Sequence, residues 1–308
     1  MLESVCFAYH CHVTKELDER WRYHITMKIR SVIACVLLVS ALVLADELPD
    51  LGDVSQGAMT PAQERKLGEG IMSQIRANAA YLDDPDITDY LNAVGYRLVG
   101  NSPDPAGPFE FFGIADNAIN AFALPGGFVG VHSGLLLSAQ SESELASVLS
   151  HEIAHVTQRH LARMVAAQQR AGLASMAALA VAILAARSNP EVSVAAITAA
   201  QAGTIQSALN FTREHEREAD RIGIQIMEKS GFDVHSMPVF FERLQKATRV
   251  YETGAPAYLR THPLTFERIA DVQGRIQGVP FRQVPDSLDF HLVRARLSAL
   301  EGNPRVAV

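Results

Sequence analysis

The stretch SHEIAHVTQRH (150–160) constrains the chain most, because it calls for a helix whose polar edge is set in an apolar sequence. His151 and His155 stand at i and i+4, so both imidazoles fall within about 40° of each other around a helix axis. Two imidazoles so placed can hold one Zn²⁺ at about 2.0–2.1 Å, and Glu152 beside them can act as general base on a water. The bland alternative is a helix with two satisfied histidines. His160 lies about 140° around the helix from His155 and about 180° from His151. It is therefore expected to face away from the metal, exposed or partly packed. Gln158 and Leu161 occupy the places where a metzincin carries Gly and His, which excludes that class.

One protein ligand is then missing, and TREHEREAD (212–220) can supply it. Glu216 and Asp220 are i and i+4 and share a helix face. Glu216 can ligate, while Asp220 accepts the free N–H of a metal-bound histidine and fixes its tautomer. Glu214 and Glu218 lie about 160° away from Glu216 and read as a solvated face.

Around these two motifs the periodicity predicts helices over 60–80, 83–100, 142–170, 171–188, 212–231, 237–249, 261–276 and 289–304. Thr60 with Pro61, Ser141, and Thr261 with Pro263 are the expected starts. Between them, 108–136 carries short apolar and aromatic runs broken by Pro125-Gly126-Gly127, the pattern of two or three strands with a tight turn. Helices, a few strands, then many helices describe an α+β fold with a small sheet. The tract 171–188 is apolar all round, and burial is expected for it rather than contact with a membrane.

Composition bears on partners and compartment. A net charge of −7 provides no basic footprint for nucleic acid. Met27-Lys28-Ile29-Arg30 leads into SVIACVLLVSALVLA (31–45), with Val43 and Ala45 at −3 and −1 of a cleavage site, so 27–45 reads as a signal peptide and 1–26 as a spurious upstream extension. All three cysteines (Cys6, Cys11, Cys35) precede residue 46, so an exported chain would have neither disulfide nor thiolate ligand. A periplasmic domain over 46–288 is expected.

At these residues the sequence resembles the gluzincin metallopeptidase family of the CAAX-prenyl endopeptidases and the heat-shock protease HtpX, nearest to its periplasmic BepA type. The resemblance covers roughly 58–300 and rests on three motifs besides HExxH. Thr212-Arg213, Glu216 and Ala219-Asp220 match the family's ligand helix, Asn120-Ala121-Phe122-Ala123-Leu124-Pro125-Gly126-Gly127 its strand and turn, and His262-Pro263 with Arg268 a third segment. It implies a zincin-type domain binding one Zn²⁺ through His151, His155 and Glu216, with Glu152 as catalytic base. Asn120, Ala121 and Phe122 are implied to bind extended substrate along an edge strand. His262 is implied as a fourth ligand that shuts the site, and Arg268 as a group that holds it or stabilises the oxyanion. Unfolded or misassembled proteins are the implied substrates, the outer-membrane assembly machinery a partner, and the membrane surface a peripheral contact. The family's C-terminal tetratricopeptide array is reduced to its first helix, 289–308, which puts docking through that array in doubt.

Two further readings compete. In one, the protein is a latent chaperone-like factor in which His262 caps the metal and 171–206 covers the cleft. In the other, zinc is purely structural, although a structural site normally has four strong ligands, often cysteines.

Overall fold

Helix caps and glycine turns place most of the elements where the sequence predicts them. The computed structural model describes residues 59–103, 107–186, 212–250 and 256–302. Residues 1–26, 27–45 and 187–211 thus lie outside the described residues, and with them the expected extension, the signal peptide and most of the proposed cleft cover. Helix α1 (Pro61–Arg76) starts with Pro61 in its first turn and a capping box, in which the Thr60 and Gln63 side chains each bond the other's backbone N–H. Helix α2 (Pro85–Val99) is capped by Asp84 and buries Ile87, Leu91 and Leu98.

The sheet comprises β1 (Tyr81–Leu82), β2 (Glu110–Ile114), β3 (Ala121–Leu124) and β4 (Phe128–His132), in the order β1-β2-β4-β3. β2 runs parallel to β4, with Phe111 opposite Val129, while β3 runs antiparallel to β4, with Ala123 opposite Val129. The β3–β4 turn places Gly126 and Gly127 at φ +79° and +89°. A Cβ on Gly126 would lie 2.5 Å from Arg65 Cα, so glycine is required there for both conformation and space.

Helix α3 (Ser133–Ser138) leads to α4 (Glu142–Thr157), which carries HExxH and is capped by Ser141 Oγ. α4 is buried almost all round, packed between the sheet, α2 and later helices. A single helix over 142–170 does not form. α4 ends at Thr157, Arg159 takes φ 53°, and α5 (His160–Ala186) starts afresh. Such a conformation costs a non-glycine residue of order 1–3 kcal/mol. Here the Arg159 side chain offsets it by bonding Met59 O at 2.5 Å, with Glu64 Oε1 at 3.4 Å. Within the tract expected to be buried, Met176 on α5 is 71% exposed. No helix among the described residues is long and apolar enough to cross a membrane.

Helix α6 (212–229) stops before Gly231, at φ +75°. α7 (Ser236–Val250), α8 (Ala257–Thr261), α9 (Phe266–Ile276) and α10 (Leu288–Leu300) complete the chain order. The predicted helix at 261 starts instead at Phe266, capped by Thr265 Oγ1. The cause is Pro263, whose ring drives the preceding residue out of helical conformation; His262 sits at φ −119°, ψ 79°. The helix expected to open a repeat array, α10, packs into the main core through Phe290, Val293 and Leu297. Its cap, Ser287 Oγ, donates to Glu142 Oε1 at 2.6 Å. Phe290 is fully buried against Tyr90, so Phe290→Ala should lower stability by about 3–5 kcal/mol in urea unfolding. A loss below about 1 kcal/mol would mean that α10 is a dispensable appendage.

Candidate metal centre

The ligand group comes from three places that only the fold brings together. α4 presents His151 and His155 on one face, one turn apart, and α6 lies across it with Glu216. The extended stretch after α8 delivers His262. One potential ligand atom from each of His151, His155, Glu216 and His262 lies within 4.8 Å of the others.

The separations fit a small tetrahedral cation. A tetrahedron with bonds of 2.0–2.1 Å has edges of about 3.3–3.4 Å. His151 Nε2 lies 3.4 Å from Glu216 Oε2 and 3.4 Å from His262 Nδ1. His155 Nε2 lies 3.4 Å from Glu216 Oε1 and 3.0 Å from His151 Nε2, and His262 Nδ1 lies 3.1 Å from Glu216 Oε1. Nitrogen and carboxylate donors at these spacings suit zinc.

Glu152 is 1% exposed and belongs to none of these pairs. Among the described residues its Oε1 accepts no hydrogen bond, and His262 Nε2 approaches it at 3.4 Å. Tyr258, one turn before His262, stacks on that ring at 4.7 Å between centroids and 28° between planes. The i, i+4 spacing of Tyr258 and His262 was the available sequence signal for it, and sequence reasoning missed it.

Behind the ligands, Asp220 Oδ1 lies 2.9 Å from His151 Nδ1. Arg268 grips Asp220 with Nε and Nη2, both at 2.8 Å, and reaches Glu216 Oε2 with Nη1 at 2.7 Å. Nη1 also donates to Pro263 O at 3.0 Å. Of the two roles expected for Arg268, the geometry therefore matches holding the site. Its guanidinium is buried among these partners and does not line the cleft.

The charges are strongly coupled. Burial disfavours the protonated form of His151, but Asp220 and Glu216 outweigh it and raise the pKa to about 9. A field that draws a proton to this imidazole also favours a bound cation. His155 is pushed well below the usual histidine range by burial and by the positive charge on His151. Against its own burial, Glu216 is held below the carboxylate range by His151 and His262. Asp220 is likewise lowered, by Arg268 and His151.

Two expectations fail behind His155. His160, expected to be exposed or partly packed, is buried at 4% exposure, and its Nδ1 lies 2.8 Å from His155 Nδ1. The angular argument assumed a continuous helix, and the break at Arg159 swings His160 back. Glu218 is not a solvated charge either. Its Oε2 lies 3.2 Å from His160 Nε2 and accepts from Arg163 Nη1 at 2.7 Å. Burial, then His215, lowers the His160 pKa to about 3, so the ring is neutral near pH 7. Glu214 is exposed, as expected.

A cleft of about 290 Å³ opens over the centre, with Glu152, His155, Glu216 and His262 facing a wall of Phe122, Ala123 and Leu124. Two of the expected substrate side chains do not line it. Ala121 is fully buried, and the Asn120 amide sits 3.5 Å from His132 Nε2. The main chain tells more than the side chains. His132 N donates to Asn120 O, so the hydrogen-bonded pairs with β4 fall at 120, 122 and 124. The N–H and C=O groups of Ala121 and Ala123 accordingly point to the outer edge, which no strand among the described residues covers.

Comparison with known proteins agrees with this geometry. Peptidase family M48 matches residues 85–276, a span that holds every residue of the group described here. The chain is 49% identical over 253 residues to the "Putative beta-barrel assembly-enhancing protease" of Vibrio cholerae serotype O1, covering 82% of the chain and 52% of the relative. It is 42% identical over 261 residues to the beta-barrel assembly-enhancing protease of Escherichia coli strain K12, covering 85% and 53%. More distantly, it is 32% identical over 186 residues to the mitochondrial metalloendopeptidase OMA1 of Schizosaccharomyces pombe, covering 60% and 52%. The chain spans about half the length of the curated relatives it matches. With HExxH on α4, the glutamate on α6 and a family match across both, the chain belongs to peptidase family M48.

Proposed function

We propose that this protein is a zinc endopeptidase of the periplasm that cleaves unfolded or misassembled proteins, outer-membrane β-barrel precursors among them, from a resting site closed by His262. The observation that carries the reading is a group of three histidines and a glutamate whose ligand atoms lie within 4.8 Å of one another, beside the buried Glu152, whose Oε1 accepts no hydrogen bond among the described residues. The names of the relatives support the substrate class and a link to the outer-membrane assembly machinery. The signal-like stretch at 27–45 supports the compartment.

Bound zinc would polarise the scissile carbonyl and bring the pKa of a water to about 7. The chain's own residues do the rest. An extended peptide pairs with the outward main-chain groups of Ala121 and Ala123, which fixes its register against Phe122 and Leu124. Glu152 takes a proton from the attacking water and returns it to the leaving amine. His262 restrains both events. Its Nδ1 fills the fourth corner of the ligand set, while Nε2 engages Glu152, so one ring blocks both the open position and the base. Exposed Leu161, Met164 and Met176 on α5 support peripheral contact with apolar clients or a membrane surface.

Casein digestion tests the reading. Wild type should digest slowly, lose activity to a chelator and regain it with zinc. His262→Ala should digest faster by roughly tenfold if the closed state outnumbers the open one by about that ratio. Unchanged rates in His262→Ala would remove the closure, while chelator-sensitive cleavage would still support the peptidase. The four-ligand set also favours a second reading, a chaperone-like factor. In that case neither protein cleaves, yet both retain an unfolded β-barrel protein.

A further inference from the structure

We propose that His160 is a positioning residue for the metal centre: it accepts the Nδ1 proton of His155 and, anchored by Glu218, fixes the tautomer that leaves His155 Nε2 free to ligate. This rests on the zinc-site reading above. His155 turns Nε2 toward His151 Nε2 and Glu216 Oε1, so Nε2 is its ligand atom. Its other nitrogen lies 2.8 Å from His160 Nδ1. Two ring nitrogens at that distance share a single proton, with one donating and the other accepting. Because Nε2 ligates, His155 keeps its proton on Nδ1 and His160 Nδ1 must accept it. The His160 proton then sits on Nε2 and points to Glu218 Oε2 at 3.2 Å. Arg163 holds that oxygen from the other side at 2.7 Å. His215 stacks flat on His160, 4.2 Å between centroids and 8° between planes, and keeps its ring in plane.

Both ligand histidines are thereby backed by a carboxylate and an arginine. His151 leans on Asp220 and Arg268 directly, whereas His155 leans on Glu218 and Arg163 through an inserted imidazole. The insertion is possible only because the chain breaks at Arg159, which returns His160 to the flank of His155. Glu218 and Asp220 stand two residues apart on α6, so the helix that carries Glu216 anchors both backing chains. The partners that orient ligands in this way typically carry about 10–100-fold in metal affinity.

The test measures zinc affinity of the whole chain against a competing chromophoric chelator, with thermal unfolding of each variant. His160→Phe keeps the ring's bulk but accepts nothing, and should bind zinc about 10–100-fold more weakly than wild type. His160→Asn offers an acceptor near the Nδ1 position and should stay within about threefold, while His160→Gln, whose amide reaches toward the Nε2 position, should be as weak as the Phe variant. A purely structural role would not separate Asn from Gln in this order. If His160→Phe does not fold, the Asn and Gln variants decide, and equal affinities for those two overturn the proposal. Zinc binding by folded His160→Phe within about threefold of wild type overturns it as well, leaving the peptidase reading intact. A wild-type chain that binds no zinc overturns the metal centre and this inference with it.

Discussion

Glu152→Gln should lose peptide hydrolysis by roughly 10²–10⁴-fold while keeping its zinc. The substitution preserves volume in a site where Glu152 is 1% exposed, so packing is unchanged. It removes the one property the base needs, a carboxylate that can take a proton. Metal retention follows from geometry, since Glu152 contributes no atom to the four-membered ligand group. The fold should not suffer, because an uncharged amide is less costly to bury than a carboxylate that accepts no hydrogen bond at Oε1. Parallel zinc analysis and casein digestion check this. Full activity with intact zinc would remove Glu152 from the chemistry, and lost zinc would make it a ligand instead.

Arg268→Leu should have the largest effect on the fold itself. Arg268 is 3% exposed and is the shared cation between Glu216 and Asp220, both of them buried. Removing it leaves two carboxylates together without their guanidinium, and breaking a buried ion pair from one side costs about 3–5 kcal/mol. Zinc binding should fall as well, because Glu216 and Asp220 lose the group that sets their positions. Arg268→Lys should rescue little. A single ammonium cannot reproduce two hydrogen bonds from a planar fork to Asp220 together with an ion pair to Glu216. Urea midpoints with and without zinc provide the measurement. A stable, zinc-replete Arg268→Leu would show that the arginine is incidental to the centre. Added zinc should recover part of the lost stability in the variant, since the cation restores positive charge beside Glu216.

Local rules carried far in this chain. Thr60 with Pro61, Ser141 and the glycine turn at 126–127 act within a few residues, so capping and turn chemistry revealed them. The relation of His151 to His155, and of Glu216 to Asp220, is also local, because helix geometry converts an i, i+4 spacing into a shared face. Errors arose where a local rule met a tertiary constraint. At Arg159 nothing in the sequence announces a left-handed residue; its conformation is held by Met59 and Glu64, about a hundred positions earlier. On β3, short apolar runs and the Pro-Gly-Gly turn indicate a strand, but its place at the sheet edge and which main-chain groups face outward depend on the pairing with β4.

By itself, the sequence determined that this chain has an HExxH helix, a second helix carrying Glu216 and Asp220 on one face, and a small sheet before both. These are consequences of backbone periodicity, which residue type and spacing encode directly. Only the tertiary structure decided that His262, 111 residues from His151, brings Nδ1 to within 3.4 Å of His151 Nε2 and its other nitrogen to within 3.4 Å of Glu152. It alone also decided that Arg268 is bound up with Asp220 and Glu216, and that His160 backs His155. Each of these depends on how elements distant in sequence pack, and packing is set by the summed burial of side chains across the core rather than by any one spacing.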